Sequence, residues 1–372
     1  MISEALVARL ACPVCLEAAG CGACTRPPGH AACAEYASRT RCGCGGPDKV
    51  RLERGPAALR CPCCGAVYGL NIAEGFADLA PRSAVGDVTR YADHEFHERL
   101  GVVDAPPVLS AGVKADMLRG MLRLRPGETV LDLGCGAGKF ALYAGPSGVV
   151  AGIDLAPYFL PRAAREVDLV VGDLRRLPFR KAAFAKAYTL DVLEHLDETG
   201  VLEVLVEARR SLPPGGRLFV YTHAMESSRL ALFQRGVNRL AKRLGQAGLV
   251  DHDREALRKS DHVNAIRSHE HFDALCAEAG LRVVERRYYN VVFKAVVEDL
   301  LLRLVQQARR RGAGPALAPH GQGPGPARPE PTPGRAAILL ATGLTWLLKL
   351  DVLLFGRVRT GPFFGLLAPR ER

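Results

Sequence analysis

The segment Val130–Phe140, VLDLGCGAGKF, constrains the fold of this chain more than any other. A run of mostly apolar residues ends in glycines at positions 134, 136 and 138. Glycine loses more backbone freedom on folding than any other residue, so three at alternate positions mark a turn that must do without side chains. The turn falls where a strand should hand over to a helix. The expected reason is a ligand that approaches the main chain too closely for a Cβ.

From Val130 to Asn290 strand-like and helix-like runs alternate. The strands are expected at Thr129–Leu133, Val149–Asp154, Val167–Asp173, Ala185–Leu190, Arg217–His223 and Leu281–Tyr289. Between them lie amphipathic stretches such as Thr199–Leu212, closed by Pro213-Pro214-Gly215-Gly216. Ser268 is placed to cap a helix over His269–Ala279, with Gly280 at its end. This alternation predicts an α/β fold with a mostly parallel sheet covered by helices on both faces. Four regions follow: a cysteine-rich module at 1–80, a helical lead-in at 81–125, the α/β core at 126–290, and a C-terminal part at 291–372.

The C-terminal part begins with a helical run over Val291–Arg311, followed by a Gly/Pro-rich stretch that reads as a solvated linker. Ala336–Phe355 is then apolar for about 20 residues, the minimum for a membrane span. Lys349 and Asp351 interrupt it, so the expectation is a core helix packed on the sheet, with no integral span; peripheral membrane contact stays open. GPFFGLLA, 361–368, reads as a last strand.

The glycine turn is Gly-x-Gly-x-Gly, not the G-x-G-x-x-G of dinucleotide sites. Asp154 ends the second strand, where a carboxylate can accept from two ribose hydroxyls. Asp173 ends the third, where it can accept from an exocyclic amine while Leu174 covers a purine face. LDVLEHL (190–196) follows the fourth strand, and LPPGGRLFVYT (212–222) leads into the fifth. Carrying these motifs in this order, the segment from about Thr129 to Tyr289 resembles a class I S-adenosylmethionine-dependent methyltransferase of the L-E-H-L subgroup. The resemblance implies a Rossmann-like sheet of seven strands, with 361–368 as the reversed seventh. It implies S-adenosyl-L-methionine as cofactor. Gly134, Gly136 and Gly138 would line its methionine and ribose part, and Asp132 would hold the loop and the amino-acid end. Asp154 with Leu155 would take the ribose, Asp173 with Leu174 the adenine, and Asp191 would complete the set.

Methyl transfer from a sulfonium needs chiefly in-line placement of a nucleophile, with a general base where the acceptor is a hydroxyl or a protonated amine. The candidates are His195, then His223 at the end of the fifth strand, then His262 in SDHVNAIRSHEHF; each also reads as a structural histidine. No Asn-Pro-Pro-Tyr follows the fourth strand, which argues against base amines as acceptors.

Of 12 cysteines, ten lie at or before Cys64. The start of the chain has acidic Glu4 and no long apolar run, so the expected location is the cytoplasm, where clustered CxxC pairs bind metal rather than form disulfides. Cys12, Cys15, Cys61 and Cys64 form two knuckles for one zinc, resembling the zinc-ribbon heads that precede some methyltransferases. Cys21, Cys24, Cys42 and Cys44 could hold a second zinc; idle thiols, another ligand partition or an iron–sulfur cluster are the alternatives.

The net charge of +11 favours anionic partners or reflects a solvated arginine-rich surface. The leading expectation is a methyltransferase acting at oxygen or nitrogen of a small-molecule or lipid-like acceptor. An RNA methyltransferase is the alternative, with the zinc module and the clusters Arg235, Arg239, Lys242, Arg243 and Arg303, Arg309, Arg310, Arg311 gripping phosphates. A non-catalytic interaction protein is the third reading.

Overall fold

The computed structural model describes residues 2–14, 16, 52–62, 64–80, 102–144, 149–228, 230–246, 262–304 and 335–370. The expectations for Cys15, Cys21, Cys24, Cys42, Cys44 and Arg309–Arg311 lie outside the described residues.

In chain order the helices are α1 (Glu4–Val7), α2 (Leu109–Leu122), α3 (Lys139–Ala144), α4 (Ala163–Glu166), α5 (Glu198–Ser211), α6 (Ala231–Gln246), α7 (His269–Glu278), α8 (Val292–Val296) and α9 (Arg335–Phe355). The strands are β1 (Glu53–Arg54), β2 (Ala58–Arg60), β3 (Val67–Asn71), β4 (Phe76–Asp78), β5 (Thr129–Leu133), β6 (Val149–Asp154), β7 (Asp168–Val171), β8 (Lys186–Leu190), β9 (Arg217–His223), β10 (Leu281–Tyr288) and β11 (Pro362–Pro369). They form one sheet in the order β1-β2-β3-β4-β7-β6-β5-β8-β9-β11-β10. Strands β7, β6, β5, β8 and β9 are mutually parallel, and β11 runs antiparallel between β9 and β10.

The strand alternation sorts side chains onto two faces. Along β9, Leu218 and Val220 join a core with Val201, Val204 and Leu205 of α5 and with Phe272 and Leu275 of α7. Phe219 and Tyr221 point the other way, into a core with Val113, Leu118 and Met121 of α2 and Leu348 of α9. Helices on both faces are thus a direct result of apolar side chains on both faces of the central strands. The end signals also act as the sequence suggests: Ser268 accepts from the His271 N–H at 3.1 Å, and Gly280 takes φ +72°.

Two expectations need correction. The sheet has eleven strands rather than seven, because the hairpins of the cysteine-rich segment extend its edge: β4 pairs in parallel with β7. The N-terminal residues also grip the core, with Ser3 N and Oγ donating to Asp168 at 2.7 and 2.5 Å and the Ala11 N–H donating to Pro178 at 2.9 Å. Ile2, Leu6, Leu10, Leu59 and Ala77 share one apolar cluster with Leu131, Ile153 and Val170. The second correction concerns α9. Its main neighbour is α2, it reaches the sheet chiefly through Leu348, and only 17% of its most apolar part, within Ala337–Phe355, is buried, so it is not a core helix.

A shared core makes the cysteine-rich segment and the α/β sheet one cooperative unit. Leu10 is fully buried, so Leu10→Ala is expected to cost ~2–5 kcal/mol. Urea denaturation followed by near- and far-ultraviolet dichroism should give one coincident transition in both proteins, shifted to lower urea in the variant.

Candidate active site

The carboxyl ends of β7, β6, β5 and β8 lie side by side, and each carries a carboxylate: Asp173, Asp154, Asp132 and Asp191. The turn after β5 is sewn to the end of β6, since the N–H groups of Gly134 and Cys135 both donate to the Ile153 carbonyl, at 2.9 and 3.1 Å. Asp154 closes the clasp, its Oδ2 accepting from Gly136 N at 2.7 Å and its Oδ1 from Ala156 N at 3.1 Å.

All three turn glycines have positive φ, +76°, +50° and +78°. A Cβ on Gly134 would lie 2.4 Å from Val192 Cγ2, and one on Gly138 2.7 Å from Ala163 Cβ. A Cβ on Gly136 would meet nothing within 4 Å. Packing and backbone geometry therefore account for Gly134 and Gly138, and only Gly136 turns bare main chain towards open space. The expectation that a ligand alone requires all three glycines is corrected accordingly.

Asp132 is buried beneath this turn and accepts from the Tyr188 hydroxyl at 2.8 Å. Burial pushes its carboxyl up to about 8, with the neighbouring Asp154 charge adding to the rise and the Tyr188 bond opposing it. The Cys135 thiol is likewise pushed well above its ordinary range by burial and by the Asp132 and Asp154 charges, which makes it an inert side chain. Asp173 caps the turn Leu174–Arg176 by accepting from Arg175 N at 2.9 Å, and pairs with the Arg175 guanidinium at 2.9 Å. Asp191 stands at φ +54° and is paired with Lys114 of α2, which also lies 4.3 Å from the centre of the Tyr221 ring.

The three histidines singled out in the sequence converge on one residue that was not, Glu194. Its side chain is buried, its Oε2 accepts from Thr222 Oγ1 at 2.9 Å, and its Oε1 lies 3.4 Å from His223 Nδ1. Burial alone would raise this carboxyl; the facing His223 imidazole overrides it and brings the group down to about 2. The His195 and His262 rings meet edge to face at 4.6 Å between centres, and their nitrogens lie within 4.8 Å of a Glu194 oxygen. The backbone completes the junction, because the Glu194 carbonyl accepts from Val263 N and Asn264 N at 2.9 and 3.0 Å. A glutamate inside the apolar run LDVLEHL was the available signal for this residue. Lys114 gave none, being remote in sequence from Asp191.

Of the cysteine ligands expected for the first zinc, Cys12, Cys61 and Cys64 come together, with all three sulfurs within 4.8 Å of one another. Cys12 and Cys64 Sγ are 3.5 Å apart, close to the roughly 3.8 Å edge of a tetrahedral zinc–thiolate site. Tyr68 Oη lies 2.9 Å from Cys12 Sγ. Burial and that contact hold the phenol well above its ordinary range, so it keeps the proton with which it can donate to the sulfur.

In open α/β sheets ligands bind beyond the carboxyl ends of the strands, where this chain has its bare glycine turn and its row of carboxylates. Its chemistry is given by similarity: residues 131–220 match the family described as a methyltransferase domain. The chain is 38% identical over 146 residues to a 37.1 kDa protein in transposon TN4556 of Streptomyces fradiae, covering 37% of this chain and 39% of that one. It is 36% identical over 114 residues to the 27-O-demethylrifamycin SV methyltransferase of Amycolatopsis mediterranei, covering 28% and 41%. It therefore spans about two fifths of the length of these two relatives. Among solved structures, a phosphoethanolamine-type N-methyltransferase 2 of Haemonchus contortus aligns at 16% identity over 77% of this chain and 61% of that one, with a TM-score of 0.43. Residues 131–220 are thus similar to a methyltransferase domain.

The Glu194–His223 pair sets a pH dependence. The Glu194 carboxyl is depressed in the folded state, so its contribution to stability is complete above its ordinary value of 4.5 and is lost as pH falls towards about 2. In Glu194→Gln the urea midpoint should start lower at pH 6 and fall less than wild type between pH 4.5 and pH 2.5. An equal fall in the two proteins would remove the pairing from the account.

Proposed function

We propose that the chain transfers the methyl group of S-adenosyl-L-methionine to an oxygen or nitrogen of a small-molecule or lipid-like acceptor. The observation that carries this reading is the convergence of His195, His223 and His262 on the buried, ionised Glu194 beyond β8 and β9. A hydroxyl or ammonium acceptor needs a proton removed as it attacks, and this cluster is built to take one. A relative named for the methylation of 27-O-demethylrifamycin SV supports oxygen as the acceptor atom.

The bound cofactor would supply a methyl already activated on positive sulfur. The residues around the turn fit such a cation. The open main chain at Gly136 leaves room for it, and Asp154, Asp132 and Asp191 stand at the ends of the adjoining strands. A cation there would also draw the proton from Asp132, which its burial otherwise retains. Glu194 faces His223 Nδ1 at 3.4 Å and would stabilise the imidazolium formed when His223 takes the acceptor proton. His195 and His262 wall the same space, and Lys114 holds Asp191 in its left-handed conformation at the rim.

We further propose one structural zinc on Cys12, Cys61 and Cys64, with Cys15 as fourth ligand, and a cytoplasmic location, since thiolate ligands require a reducing compartment. The zinc would crosslink the N-terminal residues to the hairpin β2–β3 and leave no coordination position for catalysis.

Methyl-labelled cofactor incubated with cell extract and the purified protein should place label in a solvent-extractable fraction. Label in RNA, or none anywhere despite calorimetric cofactor binding, would overturn the acceptor reading. His223→Ala should lower turnover on the order of 10²–10⁴-fold with cofactor affinity unchanged. Asp154→Ala should abolish the heat of cofactor binding while native mass spectrometry still finds one zinc per chain.

A further inference from the structure

Helix α9 wears its amphipathicity inside out. At 21 residues it is roughly 31 Å long, and its Ala337–Phe355 part has a mean hydropathy of 1.9, enough by length and composition to cross a membrane. Yet the polar residues that interrupt it are the ones that hold the body of the protein. Thr345 Oγ1 accepts from Leu109 N at 2.7 Å, and Lys349 pairs with Asp116 of α2. Asp351 is fully buried and caps α8, accepting from Val292, Phe293 and Lys294 N–H groups at 2.8 to 3.2 Å. Fixed by these bonds, α9 cannot leave the body to span a bilayer without stranding a carboxylate and an ammonium in hydrocarbon.

The outward face is apolar instead. Leu339, Trp346 and Leu353, one heptad apart, are 72%, 66% and 76% exposed, and Leu340, Leu347 and Leu354 form a second stripe beside them. Single exposed leucines need no explanation, but six large apolar side chains on one helix face do. Helix α8 packs on both α9 and α6. Residues 231–246 contain no Asp or Glu, while Arg235, Arg239 and Arg243 recur every fourth residue and are exposed beside Leu232 and Leu240.

We propose that this face docks on an anionic lipid bilayer. Helix α9 lies in the plane of the membrane with its leucines and Trp346 in the boundary between headgroups and acyl chains, and α6 sets its arginines against anionic headgroups. Charge selects the bilayer over a second copy of the chain. The protein carries a net charge of +11, and two copies meeting here would bring acid-free basic helices together. The placement also matters for the chemistry: α9 packs on α2, whose Lys114 pairs with Asp191 at the rim of the candidate site. The surface itself does not depend on which acceptor is methylated.

Trp346 is the only tryptophan in the chain, so its fluorescence reports on this face alone. Vesicles of phosphatidylcholine mixed with phosphatidylserine should float the full-length protein and shift Trp346 emission to the blue. Phosphatidylcholine alone should bind at least about tenfold more weakly, as should the mixed vesicles in high salt. Leu339→Asp with Leu353→Asp should abolish flotation while dichroism and the heat of cofactor binding stay as in wild type. Failure of the mixed vesicles to float the protein or shift Trp346 would overturn the proposal. So would blue-shifted emission without lipid together with a dimer mass by light scattering, which would mean that a second copy covers the face.

Discussion

The turn after β5 is the constraint on which both architecture and site rest. Gly134 and Cys135 share the Ile153 carbonyl, Gly136 donates to Asp154, and Gly172 after β7 donates to the Asp154 carbonyl. Three neighbouring strands are thereby locked at one level at their carboxyl ends. Parallel strands have no hairpins to fix their relative height, so some other device must do so. The carboxylate that ties the turn to β6, Asp154, is also the one proposed above to meet the cofactor. A side chain at Gly134 would strike Val192, which leads into the turn holding Glu194, so a fault in the glycine turn would be transmitted to the histidine cluster.

The central sheet was legible in the sequence because its strands are buried on both faces and read as continuous apolar runs. The ends of β5, β6 and β9 fall where those runs begin and end, and the reversed β11 emerges from GPFFGLLA for the same reason. What the sequence could not convey is pairing. Strands β1 to β4 are two to five residues long, too short for a period of two to declare itself, and nothing local says that β4 will add to the edge at β7. The turn glycines were found, but a sequence does not show that Val192 and Ala163 already occupy the space a Cβ would need at Gly134 and Gly138. The histidines were found one at a time. Their common centre, Glu194, is visible only once β8 and β9 lie side by side and bring Thr222 and His223 against it.

Helix α9 shows how composition can mislead about position. An apolar run of this length predicts either a core or a membrane interior, because both hide hydrocarbon from water. Here the few polar groups in the run are spent on the protein. Asp351 at the start of α8 and Lys349 against Asp116 find partners that solvent would otherwise supply. Burial raises the Asp351 carboxyl, and the three N–H groups it accepts from act to keep it ionised. With the inward face fixed by directional bonds, the apolar residues are left outside, and the direction of the helix is decided by the minority of its side chains.

The cysteine-rich segment obeys the opposite logic. Its strands are short and poor in large apolar residues, and such a segment cannot hold its shape by burial alone. Two attachments reach it from different directions. The ladder from β4 to β7 and the Ser3–Asp168 contacts fasten it to the sheet, and its beginning and its hairpin meet where Cys12, Cys61 and Cys64 come together. A thiolate site binds metal tightly only when its ligands are already close, and here the core that buries Leu10 and Leu59 does that work before any ion arrives. The sheet therefore organises the cysteines, and a metal there would reinforce an arrangement that the apolar core has already chosen.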